Sequence, residues 1–300
     1  MGIDWLAPVG RREMSRESDS NETTRSTPEP PLAAQQILGR ELENALKQIR
    51  RPPSGLFISA IAAGLNVSFG ALLMGMVLTF APGFSSPLIE RFVLASVSTV
   101  GFVIVVIGQT ELFTAHTTLG VLPVIDRRAS LAELGELWGV VLVGNLVGCA
   151  VFAGFMAFIG PPLEILTPAA AGSLADALLG LPWWVVLSSG VIAGWLMGLV
   201  TWLVAAGRDT VGQVLLIWLI TGVIGFAPFH HALLGTTELL AALFMGHGVT
   251  VAEFLTVLVW TTLGNAAGGT VFVALLNYGQ AIKAGDPEDV DVDAESLGEG

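Results

Sequence analysis

Ionisable and amide side chains stand where this sequence is otherwise apolar. Glu111, Thr114 and His116 lie in "GQTELFTAHTTLG" (residues 108–120), after sixteen residues without a charge. His230 and His231 follow Pro228 in "APFHHALLG", and Glu238 lies in "TTELL". Asn145 and Asn265 each occupy a Gly-Asn-x-x-Gly motif. Inside a membrane such residues are costly and point to function. Histidine titrates near neutrality, so His230 or His231 at mid-depth can hold a proton or pass one to a weak-acid anion. Glu111 and Glu238 have two readings: caps on the positive N-terminal ends of half-helices, or ion and proton ligands. The two asparagines either bond across closely packed helices at small-xxx-small spacing or line a pore. His116 either lines or packs, and His247, between Gly246 and Gly248, is expected to be inert.

Other chemistry lacks its residues. The single cysteine, Cys149, excludes a disulfide within the chain and a cysteine metal cluster. Neither His-Glu-x-x-His nor Gly-x-Ser-x-Gly occurs, so an intramembrane enzyme is not expected. No cofactor or metal is expected, and at a net charge of −12 no nucleic-acid partner is expected either.

The elements that hold these residues are membrane helices. The sequence is 53% hydrophobic and 13% charged, with a mean hydropathy of +0.74. Its uncharged runs suffice for spans of roughly 20 helical residues. Breaks at Pro, Gly and charge give six: 55–81, 92–122, 133–160, 183–206, 211–245 and 250–277. Residues 33–51 place Ile37, Leu38, Leu42, Leu46 and Ile49 on one face, which predicts an amphipathic interfacial helix. Trp183, Trp184, Trp195, Trp202 and Trp218 are expected at lipid or at the interface. Residues 1–32 and the acidic tail 280–300 read as disordered. Twelve of the thirteen Lys and Arg fall on one side of a six-span topology, with Arg91 alone opposite. By the positive-inside rule both termini are cytoplasmic, in a multi-pass protein of the inner (cytoplasmic) membrane.

Segments 92–122 and 211–245 are too long for single straight spans at ~1.5 Å per residue, so each is expected to break. The halves also repeat. "SAIAAG" (59–64) matches "SGVIAG" (189–194), Thr110-Glu111-Leu112 matches Thr237-Glu238-Leu239, and "GNLVGCAVF" (144–152) matches "GNAAGGTVF" (264–272). Three spans per repeat invert the second copy, an architecture of channels and transporters with the site at the midplane breaks.

"ELFTAHT", "WGVVLVGNLVG", the fourth-span tryptophan run ending at Arg208, "FHHA" and "LGNAAGG", in this order over residues 33–279, resemble the formate/nitrite transporter family. The resemblance implies an aquaporin-like bundle of six transmembrane helices, all-α, with broken second and fifth helices, assembled as a homopentamer with one pore per protomer. It implies passage of small monovalent anions such as formate or nitrite. Matched by position, Leu112 and Phe113 form an apolar gate beside Thr114, and His231 is the central histidine, with His230 beside it in a proton relay. Asn145 and Asn265 are the pore amides, and Phe102 and Ile224 are further constrictions. His230 replaces the usual glutamate, Glu238 lies where the family has a Ser-x-Ala-Asn-Met run, and His116 replaces a small polar residue. These departures mark a divergent subgroup.

The resulting expectation is a pH-sensitive pore for weak-acid anions and protons, set in the lipid bilayer. Two alternatives stand beside it: an aquaporin-type channel for neutral solutes, though Asn-Pro-Ala is absent from both breaks, and a non-transporting membrane scaffold.

Overall fold

The computed structural model describes residues 32–81 and 83–283. Residues 1–31 and 284–300, which hold most of the two expected disordered tails, lie outside the described residues. Within them the chain is helical: α1 (Ala34–Ile49), α2 (Pro53–Phe80), α3 (Pro87–Ile107), α4 (Phe113–Leu119), α5 (Leu122–Ile125), α6 (Leu131–Ile159), α7 (Pro168–Asp176), α8 (Trp183–Ala206), α9 (Thr210–Phe226), α10 (Ala232–Phe244), α11 (Val251–Ala267) and α12 (Leu276–Lys283). A π-helical stretch, Gly268–Leu275, joins α11 to α12.

Five of these passes are long and apolar enough to cross a membrane: α2, α3, α6, α8 and the continuous run Val251–Lys283. The sixth is divided, because α9 and α10 are each too short by themselves. The protein is a multi-pass helical membrane protein. Large apolar side chains such as Ile58, Phe158, Leu219 and Val259 stay exposed around the bundle, the surface that lipid tails would cover.

Local signals set the helix starts, and they recur between halves. Pro52 precedes α2 and Pro182 precedes α8, both in extended backbone that proline favours. Ser130 and Glu133 form a capping box at α6; Thr250 and Glu253 form its counterpart at α11. Within each half the longest packing seam is the equivalent one, α2 on α6 and α8 on α11. Glycine makes both seams close. A Cβ on Gly64 would sit 2.2 Å from the Asn145 carbonyl oxygen, and one on Gly194 would sit 2.2 Å from that of Asn265.

Two expectations change here. The apolar face of α1 does not lie open: Ile37, Leu38 and Leu42 pack with Val121, Leu122, Leu134 and Ala281 at one end of the bundle. Arg40 pins α1 there by donating to the Ala205 carbonyl at 3.1 Å. Trp202 belongs to the same cluster and is buried, so it is not among the lipid-facing tryptophans, whereas Trp183, Trp184, Trp195 and Trp218 are exposed.

Candidate functional site

Both breaks begin with the same backbone device. After α3 the amide of Thr110 reaches five residues back to the Val105 carbonyl at 3.1 Å, and after α9 the amide of Phe229 does the same to Ile224 at 2.9 Å. In the first break Gln109 adopts a left-handed φ of 53°, which ends helical propagation. In the second, Pro228 lacks the N–H needed to continue. The chain then restarts as α4 and α10, whose N-termini meet at the centre of the bundle.

Asn145 and Asn265 hold these restarts. The Oδ1 of Asn145 accepts from the Phe113 amide at 2.8 Å, and its Nδ2 donates to the carbonyls of Ala60 and Glu111, each at 2.8 Å. The Oδ1 of Asn265 accepts from Ala232 at 2.9 Å, and its Nδ2 donates to Gly190 at 2.8 Å and His230 at 3.0 Å. Unpaired backbone groups at this depth would be costly, and each amide satisfies three of them. Both amides are fully buried, with every donor committed to backbone, so they offer none to a solute.

The first amide of each half-helix is therefore held by an asparagine, His231 itself is the side-chain N-cap of α10, and the assignment of the caps to Glu111 and Glu238 is corrected. Glu111 precedes α4 and turns its carboxylate to Arg51 and His116, while Glu238 lies within α10, two turns past its start. The Thr-Glu-Leu match is coincidental. The equivalent pairs are Glu111 with His230, Leu112 with His231 and Phe113 with Ala232, fixed by the matching asparagine bonds. The Gly-Asn-x-x-Gly motifs, 120 residues apart, come within one residue of this register, which is 119; the asparagine bonds fix it.

At the centre, Thr114 of α4 meets His231, the residue before α10, at 3.0 Å between Oγ1 and Nε2. The Leu234 amide donates to His231 Nδ1 at 3.2 Å. Nδ1 is therefore the acceptor nitrogen, and neutral His231 carries its proton on Nε2 and donates to Thr114. Phe102 closes edge-on against the imidazole with ring centroids 4.9 Å apart. Phe102, Leu112 and Ile224 are fully buried in one apolar cluster around this pair.

The other expected residues divide. Phe113 packs its ring on Trp138 and lines neither of the cavities described next, so of the expected gate only Leu112 faces one. His230 shares its Nδ1 with the Ser189 hydroxyl at 2.9 Å and donates from Nε2 to the Leu178 carbonyl at 3.2 Å, which ties the break to the α7–α8 loop. Both of its ring nitrogens are occupied. His116, left open by the sequence, meets Glu111 at 2.6 Å.

Two cavities approach this centre from opposite ends. One, of about 440 Å³, opens at the α1 end and is lined by Leu112, Glu111 and His116 with Arg40, Glu41 and Lys47 of α1. The other, of about 210 Å³, reaches His231 and Ile224 and carries Glu90, Arg91 and Glu238. Burial of Glu41 at the α1-end cavity pushes its carboxyl up to about 8. The arrangement is two partly polar cavities separated by a short apolar layer with one hydrogen-bonded imidazole in it, the plan of a selective pore.

Comparison with known proteins decides the class. The family model described as formate/nitrite transporter matches residues 35–279. The chain belongs to the formate/nitrite transporter family. Among relatives, the uncharacterized transporter YrhG of Bacillus subtilis is 30% identical over 81% of this chain and 91% of its own length. A solved ion channel of the family superimposes with a TM-score of 0.74 at 25% identity, covering 81% of this chain and 98% of the channel. A pentameric formate channel with formate bound gives a TM-score of 0.68 at 21% identity over 77% of this chain and 98% of that one, a likeness of fold. The formate/nitrite transporter family is one of membrane transporters and channels, so this chain is not an enzyme.

Proposed function

We propose that the chain passes small monovalent weak-acid anions, formate or nitrite among them, with His231 donating the hydrogen bond that offsets their charge. The observation that carries this reading is the His231–Thr114 pair between the two cavities. An anion in an apolar layer is costly unless its charge is offset. Neutral His231 presents an Nε2–H; an anion that displaces Thr114 takes that hydrogen bond, receives a proton from water in the adjoining cavity, and crosses beside Leu112 and Phe102 as the neutral acid. The Nδ1 bond from Leu234 keeps the imidazole in the donating tautomer.

One pore per protomer of a homopentamer fits the pentameric formate channel that shares the fold. Both termini and α1 on the cytoplasmic side of the cell membrane fit the distribution of Lys and Arg. In proteoliposomes, His231→Ala is expected to cut formate and nitrite flux by about tenfold or more, as loss of a buried hydrogen-bond donor costs about 1–3 kcal/mol. Unchanged flux and pH profile in that variant would overturn the mechanism. Swelling in glycerol or water gradients, with no weak-acid flux, would favour a neutral-solute channel instead.

A further inference from the structure

Glu111 and His116 form a buried ionisable pair that the passage at His231 does not use. Glu111 Oε1 is held by Arg51 at 3.2 Å, and Oε2 lies 2.6 Å from His116 Nε2. An ionised carboxylate only accepts hydrogen bonds, so His116 donates from Nε2 and its lone pair is on Nδ1. That Nδ1 is buried without a hydrogen-bond partner, on a side chain 1% exposed that lines the α1-end cavity. The same helix, α4, carries Thr114 against His231 and, two residues on, His116. Two positions apart, Thr114 and His116 leave the helix on different faces, so His116 meets the weak acid in the α1-end cavity, which Leu112 also lines.

Resting on the transport reading above, we propose that His116 is a proton-exchange site for the same weak acid, located at the α1-end cavity and positioned by Glu111. A neutral acid that has crossed the apolar layer gives its proton to Nδ1. The acid O–H bond breaks, an N–H bond forms, and the anion is released into the cavity. The imidazolium then stands against the Glu111 carboxylate, and water in the cavity takes the proton and restores the lone pair. Run in reverse, the site protonates an entering anion.

The charges facing this site are few. From α1 the cavity receives Arg40, Glu41 and Lys47, and Arg51 reaches Glu111 from the α1–α2 junction. On α6, Glu133 and Glu136 share a separate small cavity with Arg51. Asp126, after α5, is bound to Arg128 and Tyr278. No ionisable residue lies on α8 or the π-helical stretch, and the only one on α11, Glu253, is in the capping box at the far end. Two groups at this cavity can change charge, Glu41, whose carboxyl burial pushes up to about 8, and His116; only His116 is held against a second carboxylate, and the histidine spectra below separate the two.

The test measures formate uptake and proton movement together in liposomes loaded with a pH-sensitive dye, from pH 5.5 to 8. His116→Gln keeps a donor towards Glu111 but holds no second proton. It is expected to slow flux about a hundredfold near neutrality, the lower end of the scale for losing a proton-transfer group, and to change it little at pH 5.5. A His116→Gln profile that superimposes on wild type overturns the proposal. Nitrogen-15 spectra of histidine-labelled wild-type protein give a readout independent of that variant's folding, with the His116 signal identified by removing the other three histidines one at a time. Protonation of His116 Nδ1 within that pH range supports the site, and its absence throughout overturns it. Wild-type protein that moves no weak acid at any pH overturns the transport reading instead, and the spectra then decide the proton site alone.

Discussion

The two helix breaks share one scaffold and differ in what fills it. In each, an asparagine from the following long helix accepts from the first amide of the restarted helix and donates to two carbonyls. In the first break the clamped stretch runs Glu111-Leu112-Phe113; in the second it runs His230-His231-Ala232. Duplication thus preserved the backbone solution and freed the side chains to diverge. The first break carries an apolar wall with a carboxylate behind it, the second a hydrogen-bonded imidazole with a tied neighbour. Symmetry in this protein belongs to the main chain, and chemistry belongs to the departures from it.

Several changes would break or sharpen that contrast. The largest effect is expected from the shared part. Asn145→Ala and Asn265→Ala each strand three buried backbone groups, at about 1–3 kcal/mol apiece, so both should lower thermal stability in detergent severely and alike. A large loss in one and none in the other would refute the equivalence of the breaks. Next comes the apolar wall: Leu112→Ala should widen the constriction and raise water and small-ion leak about tenfold in liposomes, as expected when a dewetting ring is opened. His230→Gln should act less. It retains hydrogen-bonding capacity towards Ser189 and Leu178, so weak-acid flux should stay within about threefold of wild type, a change of under 1 kcal/mol. A collapse of flux would make His230 a partner of His231 rather than a tie.

The smallest effect concerns α1. Glu41 is raised by burial from 4.5 to about 8, so the folded protein holds a proton there that the unfolded chain releases between those values. The sign follows: this contribution to stability is complete below pH 4.5 and is lost as pH rises through 8. Hydrogen exchange in α1 should therefore quicken from pH 6 to 8.5, after correction for intrinsic rates, and Glu41→Gln should flatten the trend.

Much of this was legible in the sequence because the strongest constraints were local or periodic. Spans, long broken segments and the proline and capping-box starts are all written in runs of adjacent residues. The Gly-Asn-x-x-Gly motifs were legible as a repeat, but not as caps, since their partners lie thirty and more residues away in sequence. The Thr-Glu-Leu match misled for a related reason. Three residues can agree by chance, whereas the backbone bonds that define equivalence involve Phe113 and Ala232, which share no side-chain chemistry. Trp202 and the face of α1 were misjudged because an apolar surface reads the same whether lipid or protein covers it. His116 could be placed only by the fold, which brings it back onto Glu111.

The asparagine clamps also set an order of events during synthesis. Phe113 emerges from the ribosome 32 residues before Asn145, and Ala232 emerges 33 before Asn265. At about 5–20 residues per second, each restarted half-helix waits roughly 2–7 s for the side chain that completes it. During that interval the break carries unsatisfied amide and carbonyl groups, so it must stay near water or within the insertion machinery until the next span arrives. Each half of the protein is therefore completed from its last helix backwards, and a ribosome stalled before residue 145 or 265 leaves behind a chain that has every span it needs except the one that lets it settle into the membrane.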